Sequence, residues 1–490
     1  MKILTGEQIK EADKYTIENE PITSIELMER ASNAIAQWIS DNIEKDNPLV
    51  FLIGKGNNGG DGLAVARILF HAGYDCSVFM LSNNKPDLSE DCASNLERLP
   101  KYIGYIGNFE KIDSNAIIID ALLGSGVKGD IKEPVAKIID KVNHLPNKVI
   151  SIDLPSGMKT EFGNALQLII KADITLTLEF PKLAMLLPEA GEYCGDIKII
   201  PIGLSNEFIE NALSTYQYTT EDVVKSKILK RDKFAHKGTY GHALLICGSR
   251  GMSGAAVLSA GAALRSGCGL VTVHLPQLER FSLQAIYPSA MSSLDNDDCF
   301  SEVPEHIEKY SAIGIGCGMG IAPRTIKAYE KLLHIYNKPM VIDADALNIL
   351  SENPTLHEYV PKNSILTPHP GELKKLVGDW KDDEEKIMLV RKLASQLHSV
   401  IVIKGAQTMV CLPDGECHFN STGNSGMAKG GSGDVLTGFI TGLLARGYDS
   451  SCAAILGVYL HGLAGDKVAQ RIGMEAMNSK DLIDELNISI

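Results

Sequence analysis

No two of the 10 cysteines stand as a CxxC pair, and nothing resembles a CxxC…CxxC frame. That spacing excludes a zinc ribbon and argues against a disulfide scaffold, so the thiols read as reduced groups in a cytoplasmic protein. There is no uninterrupted apolar stretch of membrane-spanning length, about 18 residues or more. The first residues, Met1-Lys2-Ile3-Leu4-Thr5-Gly6-Glu7, have no apolar h-region, so neither a signal peptide nor a membrane span is expected. A basic face is also missing. Asp and Glu number 61 against 47 Lys and Arg, and the formal charge of −14 excludes a nucleic-acid partner. It does not exclude small phosphorylated ligands, because backbone N–H groups and helix N-termini make anion sites on acidic proteins.

What is present is ordinary globular material: 490 residues, 44% hydrophobic and 22% charged, enough for two or three domains. Short β-branched runs alternate with helical patterns from end to end. Strands are predicted at 49–53, 116–119, 149–152, 174–178 and 197–200. In the second half they are predicted at 243–246, 270–273, 312–315, 340–342, 364–366 and 400–403. Continuous apolar runs of this kind suit parallel strands buried on both faces, and strand–helix alternation makes the class α/β. A helix is predicted from Thr23-Ser24-Ile25-Glu26, whose spacing fits a capping box. After Pro201-Ile202-Gly203-Leu204 the chain turns polar. The expected organisation is a domain over 1–205, a linker over 206–231 and a second domain over 232–490.

The first predicted strand runs into Gly54-Lys55-Gly56-Asn57-Asn58-Gly59-Gly60-Asp61-Gly62, with a helix expected from about Leu63. On chemistry alone this is either a phosphate-cradling loop or a tight turn. Two further strand ends carry Asp120-Ala121-Leu122-Leu123-Gly124-Ser125-Gly126 and Asp153-Leu154-Pro155-Ser156-Gly157. Each aspartate alone is satisfied by capping the next turn. Three polar loops on one sheet edge fit the place where open α/β sheets bind ligands.

The second half offers Asn424-Ser425-Gly426-Met427-Ala428-Lys429-Gly430-Gly431-Ser432-Gly433-Asp434 leading into an apolar helix. The glycines make an anion hole from successive N–H groups. Asp434, in the first helical turn, is placed to take a proton from a hydroxyl that attacks a terminal phosphate, or merely to favour the helix dipole. Lys404 reads as a phosphate partner or a solvated strand-end lysine. His369, stiffened by flanking prolines, reads as a pocket wall or as a loop histidine bonded to backbone.

On these residues the first half resembles the NAD(P)H-hydrate epimerase family, with Leu27-Met28-Glu29-Arg30-Ala31 also fitting. The resemblance implies a Rossmann-like three-layer fold and a potassium site at Asn58, Asp120 and Ser156. It also implies hydrate contacts from Asn57, Asn58, Gly59, Gly60 and Asp61, from Gly124, Ser125, Gly126, Val127, Lys128, Gly129 and Asp130, and from Asp153, which is also the expected proton shuttle. Potassium takes several oxygen ligands, and this set has neither sulfur nor imidazole.

The second half resembles the ADP/ATP-dependent NAD(P)H-hydrate dehydratases of the ribokinase-like superfamily. The motifs are His236–Gly241, Gly248–Ala256, Asp343–Leu347, Thr367–Glu372, Lys404–Thr408 and the segment ending at Asp434. Lys429 stands where a small residue such as threonine is common. The resemblance implies hydrate contacts from Ala255, Gly318, His369 and Asp434, and nucleotide contacts from Lys404, Gly405, Ala406, Gln407, Thr408 and Gly433. It further implies ADP or ATP as phosphoryl donor, Mg²⁺ on the phosphates and Asp434 as catalytic base. The expected protein is a bifunctional isomerase and lyase acting on hydrated NADH and NADPH, and a homo-oligomer. The competing readings are a small-molecule kinase that releases a stable phosphorylated product, and a dehydratase whose first half only binds.

Overall fold

The computed structural model describes residues 1–107, 109 and 112–489. The chain divides into two compact units, one over Lys2–Tyr216 with Asp382–Glu384, the other over the remainder.

The first unit is built on seven strands: β1 (Leu49–Ile53), β2 (Cys76–Met80), β3 (Gly104–Tyr105), β4 (Ile117–Ala121), β5 (Val149–Ile152), β6 (Ile174–Leu178) and β7 (Asp196–Ile200). Their order is β3-β2-β1-β4-β5-β6-β7, all parallel. The wholly apolar sequence of β1 follows from its surroundings. Leu49, Phe51 and Ile53 join a core with Ile35, Ile39, Leu63 and Leu69, while Val50 and Leu52 join a second core with Ile138, Ile139 and Val142. Alternate side chains meet helices on opposite faces, which makes three layers. Two N-terminal helices precede the sheet, α1 (Gly6–Asn19) and α2 (Ser24–Asn42). The α2 start is the predicted box: Glu26 accepts from the Thr23 N–H at 2.8 Å and from the Thr23 hydroxyl at 2.7 Å.

The second unit carries a ten-stranded sheet. Its strands are β8 (Tyr216–Thr219), β9 (His242–Ile246), β10 (Leu270–Pro276), β11 (Met291–Asp295), β12 (Ala312–Ile315), β13 (Met340–Ile342), β14 (Ile365–Leu366), β15 (Val400–Ile403), β16 (Met409–Cys411) and β17 (Cys417–Asn420). The order is β11-β10-β9-β12-β13-β14-β15-β16-β17-β8. It is parallel from β11 to β15 and antiparallel across β15, β16 and β17. The apolar helices Ser432–Ala445 and Ser450–Ile472 cover one face with Val341, Val400 and Val402, while Ala256, Ala260 and Ala263 pack on Val271 and Val273. This is the ribokinase-like arrangement, joined to a Rossmann-like one.

The structure departs from the sequence reading in two places. The segment expected as a linker is regular: it holds helices Asn206–Asn211 and Glu221–Lys227 and, between them, β8, the edge of the second sheet. The helix expected from Leu63 begins at Asn57 and runs to His71 (α3). Gly59, Gly60 and Gly62 are therefore helical. Their lack of a side chain serves close packing: a Cβ on Gly59 would lie 2.3 Å from the Gly54 carbonyl oxygen, and one on Gly62 would lie 2.6 Å from Ala121 Cβ.

Candidate functional sites

The parallel topology brings the C-terminal ends of β1, β4, β5 and β6 and the start of α3 to one edge, where a cavity of about 840 Å³ opens. Asn57, Asn58, Asp61, Asp153 and the whole run Gly124–Asp130 line it. Gly59 and Gly60 do not. They face the protein interior, Gly59 against Gly54 and Gly60 against Met28 Sδ. The first-turn N–H groups of α3 are left for a ligand, because helix geometry gives them no intrahelical acceptor.

Asp120 and Ser156 lie beneath the cavity, both 0% exposed. The Asp120 carboxylate accepts from Ser151 Oγ at 2.8 Å, from Ser156 N at 2.8 Å, from Ser156 Oγ at 2.5 Å and from Leu122 N at 3.2 Å. Burial nevertheless raises its pKa against those bonds. Asn58 donates to the Leu123 carbonyl at 2.9 Å. Ser156 Oγ meets the same carbonyl at 3.2 Å and accepts from Leu123 N at 2.8 Å, so one knot of oxygens joins α3 to the ends of β4 and β5. The Asn58 Oδ1 atom is buried without a hydrogen-bond partner. An orphaned buried acceptor beside a carboxylate, a hydroxyl and a carbonyl fits a cation that takes oxygen ligands.

Asp153 sits in the left-handed region, φ 66°, a conformation that is costly for a residue with a side chain. It points to Lys182, which forms an ion pair with it and is itself 1% exposed. Lys182 also donates to Thr177 Oγ1 at 2.8 Å and to the Leu178 carbonyl at 3.1 Å. Asp61 is buried, and burial, Asp153 and Asp13 raise its pKa well above the usual range. Lys182 and Asp13 were not singled out from the sequence. Lys182 carries one positional signal, its place just after the end of β6.

In the second unit a cavity of about 850 Å³ is lined by His369, by Lys404 through Thr408 and by Asn420 through Gly433 in part, including Gly430, Ser432 and Gly433. The Gly431 φ of +90° turns the loop into the Ser432–Ala445 helix, and Asp434 occupies its first turn. Lys404 Nζ bonds Asp343 Oδ1 at 2.8 Å, and Thr437 Oγ1 donates to Asp343 Oδ2 at 2.7 Å. A Cβ on Gly433 would lie 3.6 Å from Lys404 Nζ and 3.7 Å from Asp343 Oδ2, so that glycine faces the ion pair directly. Burial depresses the Lys404 pKa, but Asp343 and Glu372 outweigh it and the net direction is upward. Burial raises Asp434 to about 6, with Asp343 adding and a hydrogen bond from Cys317 opposing.

Ala255, Gly318 and Asp434 lie outside the lining of that cavity. They stand together beside it: a Cβ on Gly318 would meet Ala255 Cβ at 3.2 Å, and Cys317 bonds Asp434. His369 Nδ1 accepts from the Gly371 N–H at 2.9 Å and caps the helix Pro370–Val377, so it is at once backbone-bonded and a pocket wall. Lys429 turns away from the glycine loop and donates to the Glu475 and Met477 carbonyls at 2.6 and 2.7 Å. Its ammonium braces the loop from behind. His461 lines the same cavity and was not anticipated; its Nε2 is buried without a partner, and burial depresses its pKa to about 4.

Two α/β units, one with an oxygen-lined cleft and one with a glycine loop opposite a lysine and an acidic helix start, define a two-site enzyme of small phosphorylated molecules. The comparisons with known proteins make that class specific. The NAD(P)H-hydrate dehydratase family model matches residues 243–487, and the model described as YjeF-related protein N-terminus matches residues 24–184. A bifunctional NAD(P)H-hydrate repair enzyme of Moorella thermoacetica is 33% identical over 99% of this chain and 96% of its own. An ADP/ATP-dependent NAD(P)H-hydrate dehydratase of Bacillus subtilis, co-crystallized with ATP/Mg²⁺, is 33% identical over 55% of this chain and 96% of that one, with a TM-score of 0.48. A hypothetical protein of Streptococcus mutans is 26% identical over 55% and 97%, with a TM-score of 0.50. The chain belongs to the bifunctional NAD(P)H-hydrate repair enzymes. Among the described residues no helix is long and apolar enough to cross a membrane.

Proposed function

We propose that the C-terminal cleft transfers the terminal phosphoryl group of ADP, with ATP as the alternative donor, to the C6 hydroxyl of S-hydrated NADH or NADPH. Asp434 takes the hydroxyl proton as that oxygen attacks phosphorus. The ring nitrogen then expels phosphate, a C5 proton is lost and the dihydronicotinamide is restored, with AMP (or ADP) and phosphate as the other products. Lys404 and the N–H groups of Gly430–Gly433 hold the phosphates, and Lys404–Thr408 grip the nucleotide. Ala255, Gly318 and His369 wall the nicotinamide side. The acidic Asp345 at that end, with the phosphates, offers the hard oxygen ligands that Mg²⁺ takes, and the ion would neutralise charge on the transferring group.

In the N-terminal cleft the R and S hydrates exchange, with Asp153 moving the proton and Asn57, Asp61 and the Gly124–Asp130 loop holding the dinucleotide. Asn58, Asp120 and Ser156 would hold potassium, which would supply positive charge near the phosphates.

The observation that carries the reading is Gly433 facing the Lys404–Asp343 pair, with Asp434 one residue further on. The test is return of NADH absorbance when hydrated NADH meets ADP or ATP in separate arms. Silence with both refutes a dehydratase. Accumulation of a stable phosphorylated hydrate would instead favour a simple kinase. The free state of all ten thiols supports a cytoplasmic site. Exposed Leu278, Phe281, Ile286 and Met291, around the β11 edge, support a homo-oligomer, which sedimentation measures.

A further inference from the structure

One face of α1 forms a wall of the N-terminal cavity. Ile9, Lys10 and Asp13 line it, at the i, i+1 and i+4 spacing that puts side chains on one helical stripe. Asp153 is paired with Lys182, whereas the carboxylates of Asp13, Asp61 and Asp130 make no hydrogen bond or ion pair among the described residues. Asp61 and Asp130 belong to α3 and to the loop after Gly124, both already assigned to the dinucleotide, and Asp13 alone of the three comes from the α1 wall. Its part-buried carboxylate is therefore free to meet a ligand in the cavity.

We propose that Asp13 is a second acid–base catalytic residue of the N-terminal cleft, working as the counterpart of Asp153 across the hydrated ring. The proposal rests on the epimerase reading above. Asp13 comes from α1 and Asp153 from the end of β5, so the two carboxylates enter from different walls. Exchange at C6 requires the hydroxyl to leave one face and water to return to the other. In one direction Asp13, protonated, gives its proton to the C6 oxygen. The C–O bond breaks with its electron pair on the departing water while the nitrogen lone pair closes N1=C6. Water then adds to the opposite face and yields a proton to Asp153, and the N=C electrons return to nitrogen. The reverse direction exchanges the two roles, and solvent resets the carboxylates. Atoms and charge balance, and no oxidant or other reactant is needed.

The electrostatics fit the task. Burial raises the Asp13 pKa to about 6, Asp153 adds to the rise and Lys182 opposes it. The other charged groups lining that cavity are Lys10 from α1, Lys55, Asp61 from α3, and Lys128, Asp130, Lys132 and Glu133 from the loop that follows Gly124. A group titrating there holds its proton in about a tenth of molecules at pH 7 and releases it readily, the range in which a side chain serves both as acid and as base.

The test is Asp13→Asn in the full-length enzyme, with R/S exchange followed by chromatography above the uncatalysed rate and dehydration of purified S hydrate followed separately. Expected are a loss in exchange kcat of about 100-fold, KM within about threefold, loss of the pH inflection near 6 and an unchanged dehydration rate. Asp13→Glu should recover part of kcat. Exchange within about threefold of wild type, or a KM rise at unchanged kcat and pH profile, overturns the proposal. If the wild-type protein fails to exchange the epimers at all, the epimerase reading itself falls, a result separate from failure of Asp13 alone.

Discussion

Lys404 Nζ and Asp343 Oδ1 lie 2.8 Å apart, and the Asp343 side chain is only 3% exposed. The second Asp343 oxygen takes the Thr437 hydroxyl, so one carboxylate ties a strand-end lysine to the helix that carries Asp434. The lysine is thereby held in front of Gly433 instead of ranging through solvent. Asp343→Asn keeps the shape and the Thr437 contact but loses the charge that fixes the ammonium. The nucleotide KM of the dehydratase should rise by about tenfold or more, with epimer exchange unaffected; steady-state kinetics on each half-reaction measures both.

Asp434 gives a pH dependence with a definite sign. Its folded pKa of about 6 lies above the unfolded value of 3.8. In the proposed role of base it must be ionised, so dehydration should fall about tenfold per pH unit below 6 and level off above it. Stability runs the other way. A raised carboxylate pKa means the folded state binds the proton more tightly, so stability falls as pH rises from about 4 to 6 and stays lower above. Asp434→Asn should therefore abolish dehydration yet raise stability at pH 7.5, by about 1 kcal/mol after discounting for partial exposure, with the gain vanishing below pH 4. Melting curves at both pH values decide it.

The unpartnered Asn58 Oδ1 predicts a specific salt effect. A cation held there stabilises only the folded state, by about 2.7 kcal/mol at a concentration 100 times its dissociation constant. Thermal melting in potassium against tetramethylammonium should separate for the wild type. The separation should disappear in Asn58→Leu, which removes the acceptor, and persist in Asn58→Asp, which keeps one. Equal melting of the wild type in both salts would remove the ion from this site.

Much of this was readable from local pattern. All eleven predicted strands are present to within a few residues, because parallel strands buried on both faces leave continuous apolar runs. The short β3 and β17 and the half-exposed β11 leave no such run, β16 (Met-Val-Cys) leaves one of only three residues that was passed over, and β2 (Cys-Ser-Val-Phe-Met) is too mixed to stand out. The α3 start was misplaced because glycine is a poor helix former, and close approach to Gly54 and Ala121 overrides that preference here. Lys404 and Asp434 sit inside strong motifs. Asp13 and Lys182 do not: one faces the cavity only through the helical register of α1, the other through the packing of Thr177 and Asp153 around its ammonium. Tertiary placement of that kind leaves no mark at a fixed spacing.

That packing supports a last prediction. Lys182 is the only cation within bonding distance of Asp153 among the described residues, and its own charge is buried. Replacing it by methionine fills the volume but leaves the Asp153 carboxylate without its counter-ion, in a backbone conformation that already carries strain. The variant should lose about 2 to 3 kcal/mol of stability. Exchange of the hydrate epimers should fall as well, because the carboxylate loses the ammonium that fixes its position at the cleft. A variant that melts normally and exchanges epimers at the wild-type rate would show that the lysine only fills space.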